Sequence, residues 1–88
     1  MDTRTDVIEI VRAFLAEDVL SPEEAAALDP EADLLGTGIL NSLTLAHLVV
    51  FLEESFGFAV EPVDFQLETF QSLAAIRRYV ERVAQAMR

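Results

Sequence analysis

Apolar residues recur every three or four positions in three stretches of the chain, which is the spacing of one face of an α-helix. The first stretch covers residues 7–19, with Thr3 and Asp6 placed as a capping pair in front of it. The second covers residues 42–56 and stops at Gly57, and the third occupies the last four turns of the chain. These patterns predict three long amphipathic helices. Their predicted inward positions are Val7, Ile8, Val11, Phe14, Leu15 and Val19; Leu43, Leu45, Leu48, Val49, Leu52 and Phe56; and Leu73, Ile76, Val80, Val83 and Met87.

Two shorter helical segments are predicted between the long ones. Ser21 and Pro22 supply a cap and a first helical residue, and Glu24 stands three residues after the cap. This arrangement predicts a short helix that runs to about Leu28. A second, very short helix is predicted in the connector after Gly57, with Asp64 as its cap.

A loop is predicted between the short helix and the second long one. Residues 31–41 show no sustained period, and Gly36 and Gly38 interrupt them. The loop nevertheless contains four large apolar residues, so we expect it to lie over the core. These residues are Leu34, Leu35, Ile39 and Leu40.

The predicted elements make an all-α fold, because no segment shows the alternation of a half-buried strand. The sequence predicts a four-helix bundle with three long helices, one short helix and a long loop before the second long helix. A chain of 88 residues with 52% apolar residues has room for one modest core. We therefore expect residues 1–88 to form one domain, and that domain to be a monomer.

The charge of the chain favours some classes of binding partner over others. The formal net charge is −10, and every cation is an arginine because the chain has no lysine. This balance disfavours nucleic acid, which needs a basic patch, and favours basic protein partners steered in by the acidic field. The last helix is a local exception with Arg77, Arg78 and Arg82.

Other site classes find little support. The absence of cysteine excludes disulfides, a cysteine nucleophile and thiolate metal ligands. No signal-peptide layout or membrane-length apolar run is present, so we expect a cytoplasmic protein without membrane insertion. Acids between Glu53 and Glu68 match no ordered calcium loop, and we expect no metal site.

The segment from Gly38 to Leu43 carries the chemistry. Its sequence, Gly-Ile-Leu-Asn-Ser-Leu, resembles the Gly-x-x-Asp-Ser-Leu signature of acyl and peptidyl carrier proteins. The layout of the whole chain is similar to that family as well. The resemblance implies that Ser42 bears 4′-phosphopantetheine, attached covalently from coenzyme A by a phosphopantetheinyl transferase, with Asn41 and Leu43 as its neighbours in the cofactor site.

The position of Ser42 fits this role. At the start of a helix, unpaired N–H groups and the helix dipole favour a phosphate. The alternative is that Ser42 is an ordinary helix cap, which serine often is. Asn41 departs from the aspartate of the family and removes a charge that contributes to transferase recognition, so the choice of transferase is open. Its amide can still cap the helix.

One side of the second long helix is the expected docking face for partner enzymes. At about 100° per residue, Thr44, His47, Phe51 and Glu54 share this side and Val50 lies at its edge. The alternative for Phe51 is a place in the core. His47 lies about 140° around the helix from Ser42, so it cannot act as a base for that hydroxyl.

These features predict a free-standing carrier protein with no catalytic activity of its own. It would hold an acyl or aminoacyl group as a thioester and deliver it, in polyketide or nonribosomal peptide biosynthesis, from an acyltransferase or adenylating ligase to a downstream synthase or transferase. A D-alanyl carrier and a fatty-acid carrier are alternatives. Another is an unmodified helical interaction module, which the neutral Asn41 favours. A hydrolase built on Ser42 lacks a base and an oxyanion hole.

Overall fold

The structure, a computed structural model, describes residues 3–61 and 66–86, without the side chains of residues 3–6 and 18. Within these ranges every regular element is helical, which confirms the all-α prediction. Three helices are long and one is short, as expected. They are α1 (Thr3–Asp18), α2 (Pro22–Ala27), α3 (Ser42–Phe56) and α4 (Leu73–Ala86), and a 3-10 turn (Leu67–Phe70) precedes α4.

The start of α1 differs from the prediction. The helix begins at Thr3, so Thr3 lies in its first turn and is not part of a cap in front of residue 7. The physical reason is that residues 3–7 contain no glycine or proline, and helical structure can extend through them at small cost. Apolar periodicity marks only the part of a helix that packs on the core.

The short helix α2 has the predicted cap. The N–H of Glu24 donates to the Ser21 hydroxyl at 3.1 Å, and the N–H of Ser21 donates to the Glu24 carboxylate at 2.9 Å. This backbone donor, aided by the Ser21 hydroxyl, lowers the pKa of the exposed Glu24 carboxyl. At the other end Arg12 of α1 donates to the carbonyls of Ala25 and Leu28 at 2.6 and 2.7 Å. Arg12 therefore joins α2 to α1.

The core lies between the three long helices and the loop. Predicted inward positions of α1, α3 and α4 form most of it, and they are joined by Phe70 and Tyr79. One prediction was wrong: Leu43 is 65% exposed, because it lies on the side of α3 opposite the buried Leu45, Leu48 and Leu52. Met87 lies outside the described residues. Among the described residues, the largest fully buried side chains are Tyr79, Phe70, Leu15, Leu34, Leu48, Leu52, Leu73, Ile76, Val7 and Val11.

The loop before α3 packs on the core as predicted. Leu34 and Leu40 are buried, and Leu35 and Ile39 pack partly buried against the core. The Leu34 N–H donates to the carbonyl of Gln71 at 2.7 Å, just before α4. These contacts fix the path of the chain into α3.

The connector after α3 begins with a left-handed residue. Gly57 has φ +70° and donates its N–H to the Glu53 carbonyl at 2.9 Å, which ends α3 as predicted. The Glu53 carboxylate then accepts the Val60 N–H at 2.8 Å. Asp64, the predicted cap, lies outside the described residues, and the 3-10 turn follows Gln66. No helix in the described ranges has the length and apolar character needed to cross a membrane.

Candidate modification site at the start of α3

Ser42 is the first residue of α3 and is exposed to solvent. It is not the cap of this helix. Asn41 occupies the N-cap position with an extended backbone (φ −119°, ψ −175°), which is the usual conformation there. The hydroxyl of Ser42 is therefore not used for capping, and the alternative explanation for this serine is removed.

The side chain of Asn41 caps α3 through its amide oxygen. The N–H groups of Leu43 and Thr44 donate to Asn41 Oδ1 at 2.9 and 3.0 Å. In return the Asn41 N–H donates to Thr44 Oγ1 at 2.8 Å. The two residues form a reciprocal capping box in which threonine replaces the more usual glutamate or glutamine.

The cap reduces the number of backbone N–H groups that are available to a phosphate on Ser42. Two N–H groups that the sequence argument left available for a phosphate are already bound to Asn41. What remains is the positive end of the α3 dipole, together with the N–H of Ser42 itself. The first turn of α3 contains no acidic residue, and the cap is neutral. A phosphodiester on Ser42 would therefore meet no negative side chain in that turn.

The site fits a phosphopantetheine arm. Within the part of the chain that the structure describes, no group hydrogen-bonds to the Ser42 hydroxyl, and the residue is exposed, so a transferase can reach it. The loop leading to it turns at Gly38, whose φ of +82° lies in the region that favours glycine. It is also held by the Leu40 N–H, which donates to the Leu34 carbonyl at 2.8 Å. The serine thus stands at a rigid junction of loop and helix.

The predicted docking residues do not all lie on one exposed surface. Val50 is 52% exposed, and His47 and Glu54 are exposed as well. Phe51 is instead half-buried, with its ring 5.0 Å from that of Phe14, because it lies on the side of α3 that meets α1. The hydroxyl of Thr44 is engaged in the cap.

The exposed surface of α3 is a narrower stripe than the predicted face. Leu43, His47, Val50 and Glu54 are separated by four, three and four residues, which places them along one line of the helix. We call these four residues the exposed α3 stripe. Leu43 was predicted to point inward, although the spacing of Leu43, His47 and Val50 already placed these three residues on one line of the helix. The upper three residues of the stripe are apolar or neutral.

The acids near the end of α3 form no ion site. The Glu53 carboxylate accepts a hydrogen bond from the Val60 N–H. Among the described residues no group of three histidine, cysteine, aspartate or glutamate side chains is arranged to hold a metal ion. The candidate functional groups on this surface are therefore Ser42 and the exposed α3 stripe beside it.

Comparison with known proteins places the chain in a family. Residues 6–80 match the family described as phosphopantetheine attachment site. The chain is 30% identical to the D-alanyl carrier protein of Abiotrophia defectiva over 79 residues, which cover 90% of this chain and 98% of that protein.

Two crystal structures that contain Bradyrhizobium japonicum glycine:carrier protein ligase also match. One is the structure of the ligase with its cognate carrier protein and an analogue of glycyl adenylate. The chain that matches in that structure has a TM-score of 0.69 and is 30% identical to this chain. The match covers 92% of this chain and 99% of that one. The other is of the ligase with glycylated carrier protein, with a TM-score of 0.66, 30% identity, and 88% and 97% covered. This chain is therefore a carrier protein of the family that bears covalently attached phosphopantetheine.

Proposed function

We propose that this protein is a free-standing aminoacyl carrier whose phosphopantetheine arm is attached to Ser42. The observation that carries the proposal is the exposed position of Ser42 at the start of α3, directly after the Asn41 cap, with no hydrogen bond to its hydroxyl from any described residue. When bound, the arm supplies the thiol that the chain lacks and holds its cargo as a thioester. The protein contributes position, and its partners contribute catalysis.

Ser42 receives the arm by a phosphoryl-group transfer. Its hydroxyl oxygen forms a bond to the phosphorus on the pantetheine side of coenzyme A, and the bond from that phosphorus to the bridging oxygen of the pyrophosphate breaks. Adenosine 3′,5′-bisphosphate leaves with the electron pair, and the hydroxyl proton passes to a base of the transferase. Ser42 needs no base of its own chain, which agrees with the position of His47 on another side of α3.

Both kinds of relative support an aminoacyl cargo. A D-alanyl carrier protein and the carrier partners of a glycine ligase share 30% of their residues with this chain over nearly its full length. We therefore propose that an adenylating ligase loads the arm with a small amino acid, and that a cytoplasmic transferase or synthase receives it.

The exposed α3 stripe supports a docking role on that side of Ser42. Two exposed large apolar residues, Leu43 and Val50, stand on a helix whose only acids are Glu53 and Glu54 in its last turns. Such a surface suits partners that bind by apolar contact. It is the basis for proposing a natural-product pathway in preference to fatty-acid synthesis. Transfer of D-alanine to a cell-wall polymer is the second context, favoured by the D-alanyl relative.

Attachment is tested by intact mass. The apo protein is incubated with coenzyme A, magnesium and a transferase of broad specificity, and Ser42→Ala is treated in parallel. We expect the wild type to gain the mass of one phosphopantetheine and the variant to gain none. No gain in the wild type would favour an unmodified interaction module, and a gain in Ser42→Ala would place the arm elsewhere.

Cargo is tested on the holo protein. It is supplied with ATP, an adenylating ligase and, in separate reactions, glycine, L-alanine, D-alanine and larger amino acids, with malonyl-CoA and an acyltransferase as the comparison. We expect a mass gain with a small amino acid that is reversed by hydroxylamine, as for a thioester. Loading from the acyl-CoA donor alone would overturn the aminoacyl assignment and leave the attachment site standing.

A further inference from the structure

Thr44 forms the second half of the cap at Asn41. Its Oγ1 accepts the Asn41 N–H at 2.8 Å, and it lies 3.2 Å from Asn41 Oδ1 and 3.3 Å from the Asn41 carbonyl oxygen, either of which can accept its proton. The hydroxyl therefore has a donor and an acceptor within its own helix turn. Thr44 is also only partly exposed. Little hydrogen-bonding capacity is left for a partner protein.

These contacts enclose Ser42. Two hydrogen bonds join Asn41, which precedes Ser42, to residues that follow it: the Asn41 N–H donates to Thr44 Oγ1, and the Leu43 N–H donates to Asn41 Oδ1. A third bond, from the Leu45 N–H to the Asn41 carbonyl at 2.8 Å, closes the first turn. The backbone dihedrals of Ser42 are thus held from both sides. Helix ends that lack such bonds fray.

We propose that Thr44 is a positioning residue for the modification of Ser42, and that it acts through Asn41 and not by contact with the transferase. The inference rests on the proposed attachment to Ser42. In the transfer, the hydroxyl oxygen must lie in line with the phosphorus and its leaving oxygen, so the reaction depends on how often Ser42 is held in one orientation. A rigid first turn raises that fraction.

The test is a double-mutant cycle on transferase kinetics. The specificity constant kcat/KM for the apo carrier is measured by intact mass for the wild type, Thr44→Val, Asn41→Ala and the double variant, at a temperature where all are folded. Thr44→Ser retains the hydroxyl. Thr37→Val is the matched control, since it removes a threonine hydroxyl that donates to the Asp33 carbonyl at 2.7 Å in the loop.

We expect Thr44→Val to lower kcat/KM about threefold to tenfold, the factor that corresponds to part of a helix cap. Thr44→Ser should restore most of the rate, and Thr37→Val should change it less than about twofold. In the Asn41→Ala background, Thr44→Val should cause a smaller loss than in the wild type, because the contact with Asn41 Oδ1 is already gone while the N–H of residue 41 still donates to Thr44 Oγ1. Amide exchange at Leu43 should accelerate in Thr44→Val, which reports the cap directly.

Two results would overturn the inference. One is a lower rate for Thr44→Val without faster amide exchange at Leu43, which would mean that Thr44 touches the transferase independently of the cap. The other is an unchanged rate for Thr44→Val together with faster exchange at Leu43, which would mean that the cap does not position Ser42. Neither result touches the attachment itself, because the mass gain of the wild type and its loss in Ser42→Ala are measured separately.

Discussion

Asn41 caps α3 without placing a negative charge beside Ser42. Its Oδ1 accepts two backbone N–H groups, so the geometry of the cap is complete with a neutral side chain. An aspartate would make the same bonds and add a favourable interaction with the helix dipole. After modification, however, the phosphodiester on Ser42 would stand next to that carboxylate. With the proposed attachment to Ser42, we expect asparagine to make the apo protein less stable than aspartate would and to avoid repulsion in the holo protein.

We expect Asn41→Asp to raise the free energy of unfolding of the apo protein by about 0.3 to 1 kcal/mol at low salt. In the holo protein the gain should shrink or vanish, because the carboxylate and the phosphodiester share one helix end. Urea unfolding of both proteins in both forms measures the four values. An equal gain in both forms would show that the arm's phosphate lies too far from residue 41 for repulsion, and high salt should reduce every difference.

At the scale of elements, α2 depends on a side chain from α1. Six residues are too few for a helix that is stable by itself, so its two ends must be satisfied from outside. Ser21 and Glu24 close the N-terminal end. At the other end the guanidinium of Arg12, whose side chain is 17% exposed, donates to the Leu28 carbonyl and to the Ala25 carbonyl, which also accepts the Leu28 N–H at 3.3 Å. Arg12 is therefore a structural cation within an acidic molecule.

Replacing Arg12 by methionine should destabilise the fold by about 1 to 3 kcal/mol, because charged hydrogen bonds to partly buried carbonyls are lost while the apolar stem is kept. Arg78→Met is the matched control, since Arg78 is exposed on α4, and it should change stability by no more than about 0.5 kcal/mol. Urea midpoints at constant m-value give both numbers. Equal effects of the two substitutions would mean that loss of a positive charge, and not the cap, is responsible.

Elements that carry both an apolar face and end signals were predictable from sequence, as α3 shows. Its predicted range, residues 42–56, and its end at Gly57 agree with the structure. The apolar inward face extends over the same residues that the cap at Asn41 and the left-handed Gly57 delimit. The start of α1 at Thr3 was not predictable, since residues 3–6 include no apolar residue that would extend the period. At the site, the spacing of Leu43, His47 and Val50 already indicated an exposed line of residues, whereas periodicity could not tell whether Phe51 points inward. That depends on which side of α3 meets α1, as the Phe14 contact shows.

At the scale of the whole molecule, the acidic residues and the apolar members of the exposed α3 stripe occupy different parts of the chain. The chain has a formal net charge of −10, yet α3 carries no acid before Glu53. The Debye length is about 8 Å at physiological salt, so the acidic field guides a basic partner only over short distances. Once a partner is in contact, we expect the apolar members of the exposed α3 stripe to determine how long it stays bound. Net charge should govern how a partner approaches. Leu43 and Val50 should govern the stability of the docked complex.

We expect Val50→Glu to lower kcat/KM for aminoacylation of the holo protein by the ligase at least about tenfold, mainly through KM, because a charge would be buried against an apolar partner surface. The fold should tolerate the change, since Val50 is 52% exposed. Ala13→Glu adds the same charge at an exposed position of α1 and should leave the rate within about twofold. Steady-state loading at a range of carrier concentrations separates KM from kcat. Equal losses in both variants would assign the effect to net charge, and no loss in either would place the ligase on another surface of the carrier.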